Sequence, residues 1–324
     1  MLKMGLIGLG RMGRYHLNLY DEIPNLNLTS ICDSNEIILN EVLERIDVFG
    51  TTDYRELMDK VDAVTIAAPT KYHYEIAKFC LEAGKHVLVE KPITTNLKQA
   101  EELFNIAESN DLILNIGHVE RFNGAVQELR NIIDEPYLIE SRRVGPYVER
   151  MKNDSIVLDL MIHDIDIILN MVNKNVVDIQ ATGSSVYSKL PDFANVSIVF
   201  ENYCVANILV SRVTQKKDRT MSISQEDAFI SLDYTSQDIN IFRKGHSQHI
   251  FGNKELRYKN EYTLERLFVY KDNPLKMEIK HFIECIADGD KRMVSVQNEL
   301  RSLEIALKID DLLKSKNNKY GVNS

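Results

Sequence analysis

The first 120 residues alternate between short apolar runs and longer amphipathic segments. Short apolar runs between turn residues are typical of buried strands, and apolar positions repeated at helical spacing are typical of helices packed on a sheet. Strands are predicted at 2–7, 26–32, 61–68, 86–92 and 112–118, and helices at 14–20, 36–46, 71–84 and 97–110, with a turn into a short helix at 51–58. This alternation predicts an α/β domain with a doubly wound parallel sheet.

After residue 120 the pattern changes to short strands joined by brief turns. Helices are predicted at 121–134, 155–172, 274–289 and 295–316, and strands at 137–145, 176–187, 194–202, 203–213, 219–225, 228–234 and 238–244. Successive short strands favour a meandering, mostly antiparallel sheet in an α+β domain. We therefore expect one domain at 1–120 and a second at 121–324. Because such a sheet has an open second face, a homo-dimer or homo-tetramer is expected.

Composition excludes several partner classes. The chain has 324 residues, of which 44% are hydrophobic and 27% charged, and its net charge is −9. An acidic protein offers no basic surface for nucleic acid or an anionic membrane. The sequence has no signal-peptide pattern and no apolar run long enough to span a bilayer, so a cytoplasmic protein is expected. The four cysteines are far apart, which favours reduced, buried thiols over a disulfide or zinc site.

A glycine motif follows the first predicted strand. Residues 8–13 read Gly-Leu-Gly-Arg-Met-Gly and lead directly into a helix. In this context Gly8 permits a tight turn, Gly10 lets the backbone approach a pyrophosphate, and Gly13 allows close helix packing. Asp33, 20 residues after Gly13, ends the second strand, where a carboxylate accepts ribose hydroxyls and disfavours a 2′-phosphate. The motif predicts NAD rather than NADP, although Asp33 could instead cap the helix that starts near Ser34.

The segment Val87-Leu88-Val89-Glu90-Lys91-Pro92 combines a buried strand with a lysine and a proline. Proline restricts its own backbone and that of the preceding residue. Lys91 is therefore expected in a stiff backbone at the carboxyl edge of the sheet, where open α/β folds bind ligands. The alternative is an ordinary surface turn after a strand.

The helix predicted at 155–172 is apolar on every face, yet it carries several ionisable residues. Asp159, His163 and Asp166 are spaced i, i+4 and i+7, so they lie on one stripe of the helix. Buried ionisable groups are costly unless paired, and an Asp beside a His can orient the imidazole of a reactive site. The alternatives are a core histidine with an Asp partner or a metal site. No second histidine lies at ligand spacing, so no metal is expected.

Four segments together resemble the Gfo/Idh/MocA family of NAD(P)-dependent oxidoreductases. They are GLGRMG (8–13), AAPTKYHYEIA (67–77), VEKP (89–92) and DLMIHDID (159–166). The resemblance implies an N-terminal Rossmann domain, a C-terminal domain with a large, mostly antiparallel sheet, and an active site between them. It also implies that Lys91, Asp159 and His163 are catalytic.

A narrower resemblance concerns the substrate. GHVERFN (117–123), RRVGP (142–146) and DLMIHDIDIIL (159–169) resemble a subgroup that oxidises the C3 hydroxyl of UDP-N-acetylglucosamine to a ketone. A separate aminotransferase then adds nitrogen, and the product serves lipid A or other surface glycans. The alternatives are a dehydrogenase of a free polyol or sugar, such as an inositol, and a non-enzymatic NAD sensor.

These expectations assign roles to individual residues. His163 is expected to be the general base and Asp159 to orient it, while Lys91 hydrogen-bonds the reacting oxygen; either His163 or Lys91 could take the proton. Expected cofactor contacts are Gly8, Gly10, Arg11, Met12, Gly13, Asp33, Ala68, Pro69, Thr70, His73, Glu90 and Lys91. Expected substrate contacts are Lys91, Glu120, Arg121, Asp159 and His163, with Arg142, Arg143 and Arg150 for a pyrophosphate. The alternative for the three arginines is a solvated strand edge.

Overall fold

The computed structural model describes residues 1–149, 152–244, 248–251, 256–259, 262–289 and 292–317. The chain forms two compact units. The first is Met1–Phe122 with Asn273–Leu307, and the second is Asn123–Asp272 with the chain from Lys308 onward. The first boundary lies close to the expected residue 120. The return of 273–307 to the first unit, however, differs from the expected division into two contiguous domains.

The first unit contains a six-stranded sheet in which every neighbouring pair is parallel. Its strands are β1 (Leu2–Ile7), β2 (Leu26–Cys32), β3 (Phe49–Thr51), β4 (Ala63–Ile66), β5 (His86–Glu90) and β6 (Leu114–Gly117), in the order β3-β2-β1-β4-β5-β6. This confirms the predicted doubly wound sheet. Because the strands are parallel, the residues that follow them lie along one edge. Only β3, a three-residue edge strand, was not predicted.

Helices cover both faces of this sheet. They are α1 (Arg11–Tyr20), α2 (Glu36–Leu43), α3 (His73–Glu82), α4 (Leu97–Ser109), α7 (Pro274–Asp288) and the first part of α8 (Val296–Asn317). Val64 and Val87 face a core shared with α3 and α4. Leu6 and Leu88 face the opposite core, where α1 packs with α7. The apolar side of α7 includes the fully buried Phe282, which explains why the chain returns to this unit.

The second unit contains an eight-stranded sheet. Its strands are β7 (Leu138–Val144), β8 (Val176–Ser184), β9 (Phe193–Phe200), β10 (Val205–Ser211), β11 (Asp218–Ser224), β12 (Ala228–Asp233), β13 (Asp238–Lys244) and β16 (Tyr262–Leu267), in the order β16-β13-β12-β11-β7-β10-β9-β8. Neighbours are antiparallel except β7 and β10, which are parallel. The mostly antiparallel sheet is confirmed. A separate hairpin of β14 (Gln248–Phe251) and β15 (Leu256–Lys259) was not predicted, nor was β16.

The helix expected at 155–172 has two parts. A π-helical turn, Val157–Met161, leads into α6 (Ile162–Val172). The helix α5 (Gly124–Ile132) belongs to the same unit. Most of α6 is buried, as the apolar residues on every face of the predicted helix indicate. Within the described ranges, no helix combines the length and apolar character needed to cross a membrane.

Candidate active site

The turn between β1 and α1 has the geometry that the glycine motif predicts. Gly8 has a φ of +94°, and a Cβ on Gly13 would lie 1.9 Å from the Gly8 carbonyl oxygen, so both glycines are required by the packing of the protein itself. A Cβ on Gly10, in contrast, would have nothing within 4 Å. Gly10 immediately precedes α1, whose N-terminal N–H groups favour an anion. The turn therefore fits a dinucleotide pyrophosphate approaching Gly10.

Asp33 braces this turn. The Leu9 N–H donates to one carboxylate oxygen of Asp33 at 2.7 Å, and the Asn35 N–H donates to the other at 2.8 Å. The N-cap of α2 is Asn35, whose side chain accepts hydrogen bonds from that helix. Asp33 is therefore not the capping residue that the alternative interpretation required. A carboxylate accepts about four hydrogen bonds, so Asp33 keeps acceptor capacity for ribose hydroxyls, which fits NAD.

His73 joins the loops that follow β4 and β5. Its ring nitrogens lie 2.7 Å from the Ala68 carbonyl oxygen and 2.9 Å from that of Pro92. The side chain is buried, and burial lowers the pKa of His73. A neutral imidazole carries one N–H, which can donate to only one of the two carbonyls. The arrangement shows that His73 holds these loops together, and its expected contact with the cofactor stays a prediction. Thr70, in the same loop, is half-buried.

Lys91 follows β5 at the carboxyl edge of the sheet. The Lys91–Pro92 peptide bond is cis, and Lys91 is half-buried. The preceding Glu90 is buried, and its carboxylate lies 2.8 Å from Nε2 of His16 on α1. The edge that carries the glycine turn and Asp33 therefore also carries Lys91. An amine and an open pyrophosphate cradle at one edge can bind a dinucleotide and polarise a substrate oxygen.

Glu120 and Arg121 lie in a short 3-10 turn, Val119–Phe122, and both are buried. Arg121 forms a bidentate ion pair with Glu299 of α8, with 2.7 Å between Nη2 and Oε2. Its guanidinium is therefore engaged within the fold, although Arg121 had been expected to contact a ligand.

The second unit holds Asp159 and His163. Asp159 lies in the π-helical turn, and His163 follows in the first turn of α6; both are half-buried. π-helical turns within α-helices occur frequently at functional sites. Asp166 is buried and accepts a hydrogen bond from the Asn170 amide at 3.2 Å. Asp159 and His163 are thus the partly accessible members of the predicted stripe.

The three arginines expected to bind a pyrophosphate have different surroundings. Arg143 is buried, and its Nε donates to Asp164 at 2.7 Å, so its guanidinium is engaged within the fold, although a pyrophosphate contact had been expected. Arg142 points to the other face of β7, is half-exposed, and lies 3.1 Å from Asp218. Arg150 lies outside the described residues.

Two buried groups beside the candidate residues were not predicted. Asp164, next to His163, accepts hydrogen bonds from Arg143 and from the Ser141 hydroxyl. His16 contacts Glu90, next to Lys91. His16 could have been recognised as buried, because it lies on the same side of α1 as Gly13 and Tyr20.

Comparison with known proteins gives concordant matches for both parts of the chain. Residues 2–118 match a family model described as "Oxidoreductase family, NAD-binding Rossmann fold", and residues 120–231 match the GFO/IDH/MocA C-terminal domain. UDP-N-acetylglucosamine 3-dehydrogenase from Acidithiobacillus ferrooxidans is 31% identical over 88% of this chain and 89% of the relative. A solved structure of that enzyme superposes with a TM-score of 0.88 at 29% identity, covering 97% of this chain and 98% of the other. Myo-inositol 2-dehydrogenase from Thermotoga maritima is also 31% identical, over 56% of this chain and 58% of the relative.

Proposed function

Because the chain belongs to the Gfo/Idh/MocA family of NAD-binding oxidoreductases, we propose that it oxidises the C3 hydroxyl of UDP-N-acetylglucosamine to a ketone. The observation that carries the proposal is the similarity to the Acidithiobacillus ferrooxidans enzyme, which extends over both parts of the chain. The chain also has the residue types that this chemistry needs. The glycine turn suits NAD binding, and Lys91, Asp159 and His163 can act as acid–base groups.

The proposed mechanism assigns one task to each residue. NAD, when bound, supplies the hydride acceptor. Gly10 and the start of α1 hold its pyrophosphate, and Asp33 accepts hydrogen bonds from its adenosine ribose. Lys91 donates a hydrogen bond to the reacting hydroxyl oxygen and stabilises the negative charge that develops there. His163 accepts the hydroxyl proton, and Asp159 orients the imidazole.

The substrate proposal extends to the diphosphate. Arg150 is the proposed contact. Arg142 is half-exposed, but it points to the face of β7 opposite Arg143. The Arg143 guanidinium pairs with Asp164, beside His163. Arg142 therefore lies on the side of the sheet away from α6, and the contact that had been expected between Arg142 and the diphosphate is not proposed. Arg150→Ala is then expected to raise the KM for a UDP-sugar while leaving that for a free sugar unchanged.

A second candidate is the oxidation of a free polyol such as an inositol. The similarity to the Thermotoga maritima inositol dehydrogenase favours it, although that match covers only about half of each chain. The same three catalytic residues would serve, and a substrate without phosphate would not depend on Arg150.

We also propose that the chain forms a homo-oligomer through the outer face of the eight-stranded sheet. Phe229 and Tyr262 are 41% and 61% exposed, and the Phe242 ring lies within 5.8 Å of Phe229 and 5.7 Å of Tyr262. Exposed aromatic rings grouped on one face are typical of protein interfaces. A dimer or tetramer by light scattering, converted to monomer by Phe229→Lys with Tyr262→Lys, would support this arrangement.

The test of function measures NADH formation by absorbance and fluorescence with UDP-N-acetylglucosamine, other UDP-sugars, free sugars and polyols. A sugar aminotransferase with glutamate is included, because it removes the ketone and reports the proposed coupling to amino-sugar synthesis. Turnover of UDP-N-acetylglucosamine that is lost in Lys91→Ala and His163→Ala, but kept in the exposed control Lys98→Ala, supports the proposal. Turnover of free polyols alone favours the second candidate. NAD binding without any turnover contradicts both.

A further inference from the structure

Three titratable side chains meet on the face of the six-stranded sheet that packs against α1 and α7. His16 comes from α1, Glu90 from the end of β5 and Glu278 from α7. Their nitrogen and oxygen atoms lie within 4.8 Å of one another, and the residues are 0%, 8% and 2% exposed. We call these three residues the buried acid cluster. The mechanism above uses none of their side chains.

The cluster is incompletely paired. His16 Nε2 lies 2.8 Å from Glu90, a normal hydrogen-bond distance. Both carboxyl oxygens of Glu278, in contrast, have no hydrogen-bond partner among the described residues. An ionised carboxylate in such a place would lose its hydration without compensation, at a cost of several kcal/mol.

Of the described cations, Arg121 is the one whose charge favours an ionised Glu278, but its guanidinium is already engaged with Glu299. In the part of the chain that the structure describes, four titratable groups bear directly on Glu278: His16 on α1, Glu90, Arg121 in the 119–122 turn, and Glu299 on α8. Two more interact with members of this set: Tyr20 on α1 interacts electrostatically with Glu90, and His118 lies 3.9 Å from Glu299. Burial first, and then the negative charge of Glu90, raise the pKa of Glu278 well above its ordinary value.

A metal ion is the competing explanation for two carboxylates and an imidazole in one place. A metal would need a lone pair on His16 and one on Glu90, but Nε2 and the Glu90 oxygen already lie at hydrogen-bond distance from each other. A proton on Glu278 needs no rearrangement of that pair. The carboxyl groups of Glu278 and Glu90 lie within 4.8 Å of each other, a separation that a single water molecule can bridge.

We propose that Glu278 is held as a neutral carboxylic acid, and that the buried acid cluster positions Lys91 by fixing the Glu90 side chain that precedes it. Two other contacts restrain Glu90, one through its side chain and one through its backbone. Its carboxylate bonds to His16, and its backbone pairs with Gly117 on β6, where an added Cβ would lie 3.2 Å from both the Glu90 Cα and a carboxyl oxygen. The role assigned to Lys91 rests on the proposed function, whereas the protonation of Glu278 does not.

Thermal unfolding across pH tests the proton without any assay of activity. A group whose pKa is raised in the folded state contributes stability that is lost as pH rises above its unfolded pKa of 4.5. Glu278→Gln keeps the shape and replaces the O–H donor of the protonated acid with an amide N–H, but it cannot ionise. Its Tm should therefore gain ~3 °C on the native protein between about pH 5 and about pH 8. Glu284→Gln, on the exposed side of the same helix, should show no such change. The infrared carbonyl band of a protonated carboxylic acid, present at neutral pH, should disappear in Glu278→Gln but not in Glu284→Gln.

Two outcomes would overturn the proposal. A Tm difference between Glu278→Gln and the native protein that does not vary with pH, with no protonated-acid band, would show that Glu278 is ionised. A native Tm that falls with a chelator and recovers with zinc or manganese, with neither effect in Glu278→Gln, would identify a metal site.

Steady-state kinetics test the positioning of Lys91. Glu278→Leu fills a similar volume but removes the hydrogen-bond donor, so kcat should fall about 10-fold, with the KM for the sugar and the Kd for NAD unchanged. Glu278→Gln should recover most of that kcat. Equal losses in both variants, or a loss expressed only in the Kd for NAD, would exclude positioning through Glu90. If the native protein turns over no substrate, the proposed function fails, while the unfolding experiment still decides the state of Glu278.

Discussion

Two buried polar clusters adjoin the proposed catalytic residues, one in each unit, and their charges are balanced differently. In the second unit, Ser141, Arg143 and Asp164 form what we call the arginine cluster, with Asp164 directly after His163. In the first unit, the buried acid cluster adjoins Lys91 through Glu90. Each cluster joins a sheet to a helix within its own unit.

The arginine cluster is fully matched. Asp164 accepts hydrogen bonds from Arg143 Nε at 2.7 Å, Arg143 Nη2 at 3.2 Å and the Ser141 hydroxyl at 2.8 Å, and Arg143 also lies 4.9 Å from the centre of the Tyr234 ring. The buried acid cluster has two carboxyl groups and one imidazole, and within the described part of the chain no hydrogen-bond donor reaches Glu278. In the arginine cluster, opposite charges hold the side chains in place. In the buried acid cluster, one carboxyl group must carry a proton to avoid an unpaired buried charge, so the arrangement of its side chains depends on pH.

The largest expected effect comes from breaking the matched pair. Asp164→Ala leaves the Arg143 guanidinium buried without its carboxylate, which should lower the free energy of unfolding by ~3–5 kcal/mol. Urea unfolding measures this loss. The control is Asp218→Ala, which removes the partner of the half-exposed Arg142 on the same strand and should cost less than about 1 kcal/mol. Equal losses in the two variants would mean that the arginine cluster contributes no more than a surface ion pair.

The contrast between Arg142 and Arg143 also shows what the sequence could have revealed. Adjacent residues of a strand point to opposite faces, so the two arginines could not both have met the same ligand. That alternation was available in the sequence and would have separated them. The partner of Arg121 was not available, because Glu299 lies 178 residues away and nothing local to either residue indicates the pairing.

The fold was predictable wherever burial imposed a period on the sequence. The six-stranded sheet, the glycine turn and most of the antiparallel strands follow from apolar runs and alternation. Strand β16 was missed because its side chains are nearly all exposed, which leaves no alternation to detect. Strand β3 has only three residues, and the π-helical turn at Asp159 carries the same residue types as an α-helix. The position of the proposed catalytic Asp159 in a π-helical turn could therefore be found only from the structure.

A smaller effect is expected from the acid cluster, where a double-mutant cycle separates its members. His16→Leu removes the partner of Glu90 and should cost ~1–3 kcal/mol, because a buried acceptor loses its donor. In combination with Glu278→Gln the cost should be smaller by at least ~0.5 kcal/mol, since the glutamine amide can donate to Glu90 in place of the imidazole. Asn18→Leu, on the exposed side of α1, is the matched control and should add independently. Strict additivity for the His16 and Glu278 variants would show that the two residues do not act on the same carboxylate.

The smallest effect tests the packing of Glu90 rather than its charge. In Gly117→Ala the new methyl group would lie 3.2 Å from the Glu90 Cα and carboxyl oxygen, so Glu90 must move by a few tenths of an ångström. We expect a loss of ~1 kcal/mol in the free energy of unfolding, from crowding in a well-packed site. Gly145→Ala, where an added Cβ meets nothing within 4 Å, should instead leave stability unchanged or slightly raised. If Gly117→Ala lowers kcat by a larger factor than its loss of stability accounts for, while the Kd for NAD stays constant, the position of Glu90 is transmitted to Lys91. If kcat is unchanged in a folded Gly117→Ala protein, the buried acid cluster stabilises the first unit without positioning Lys91.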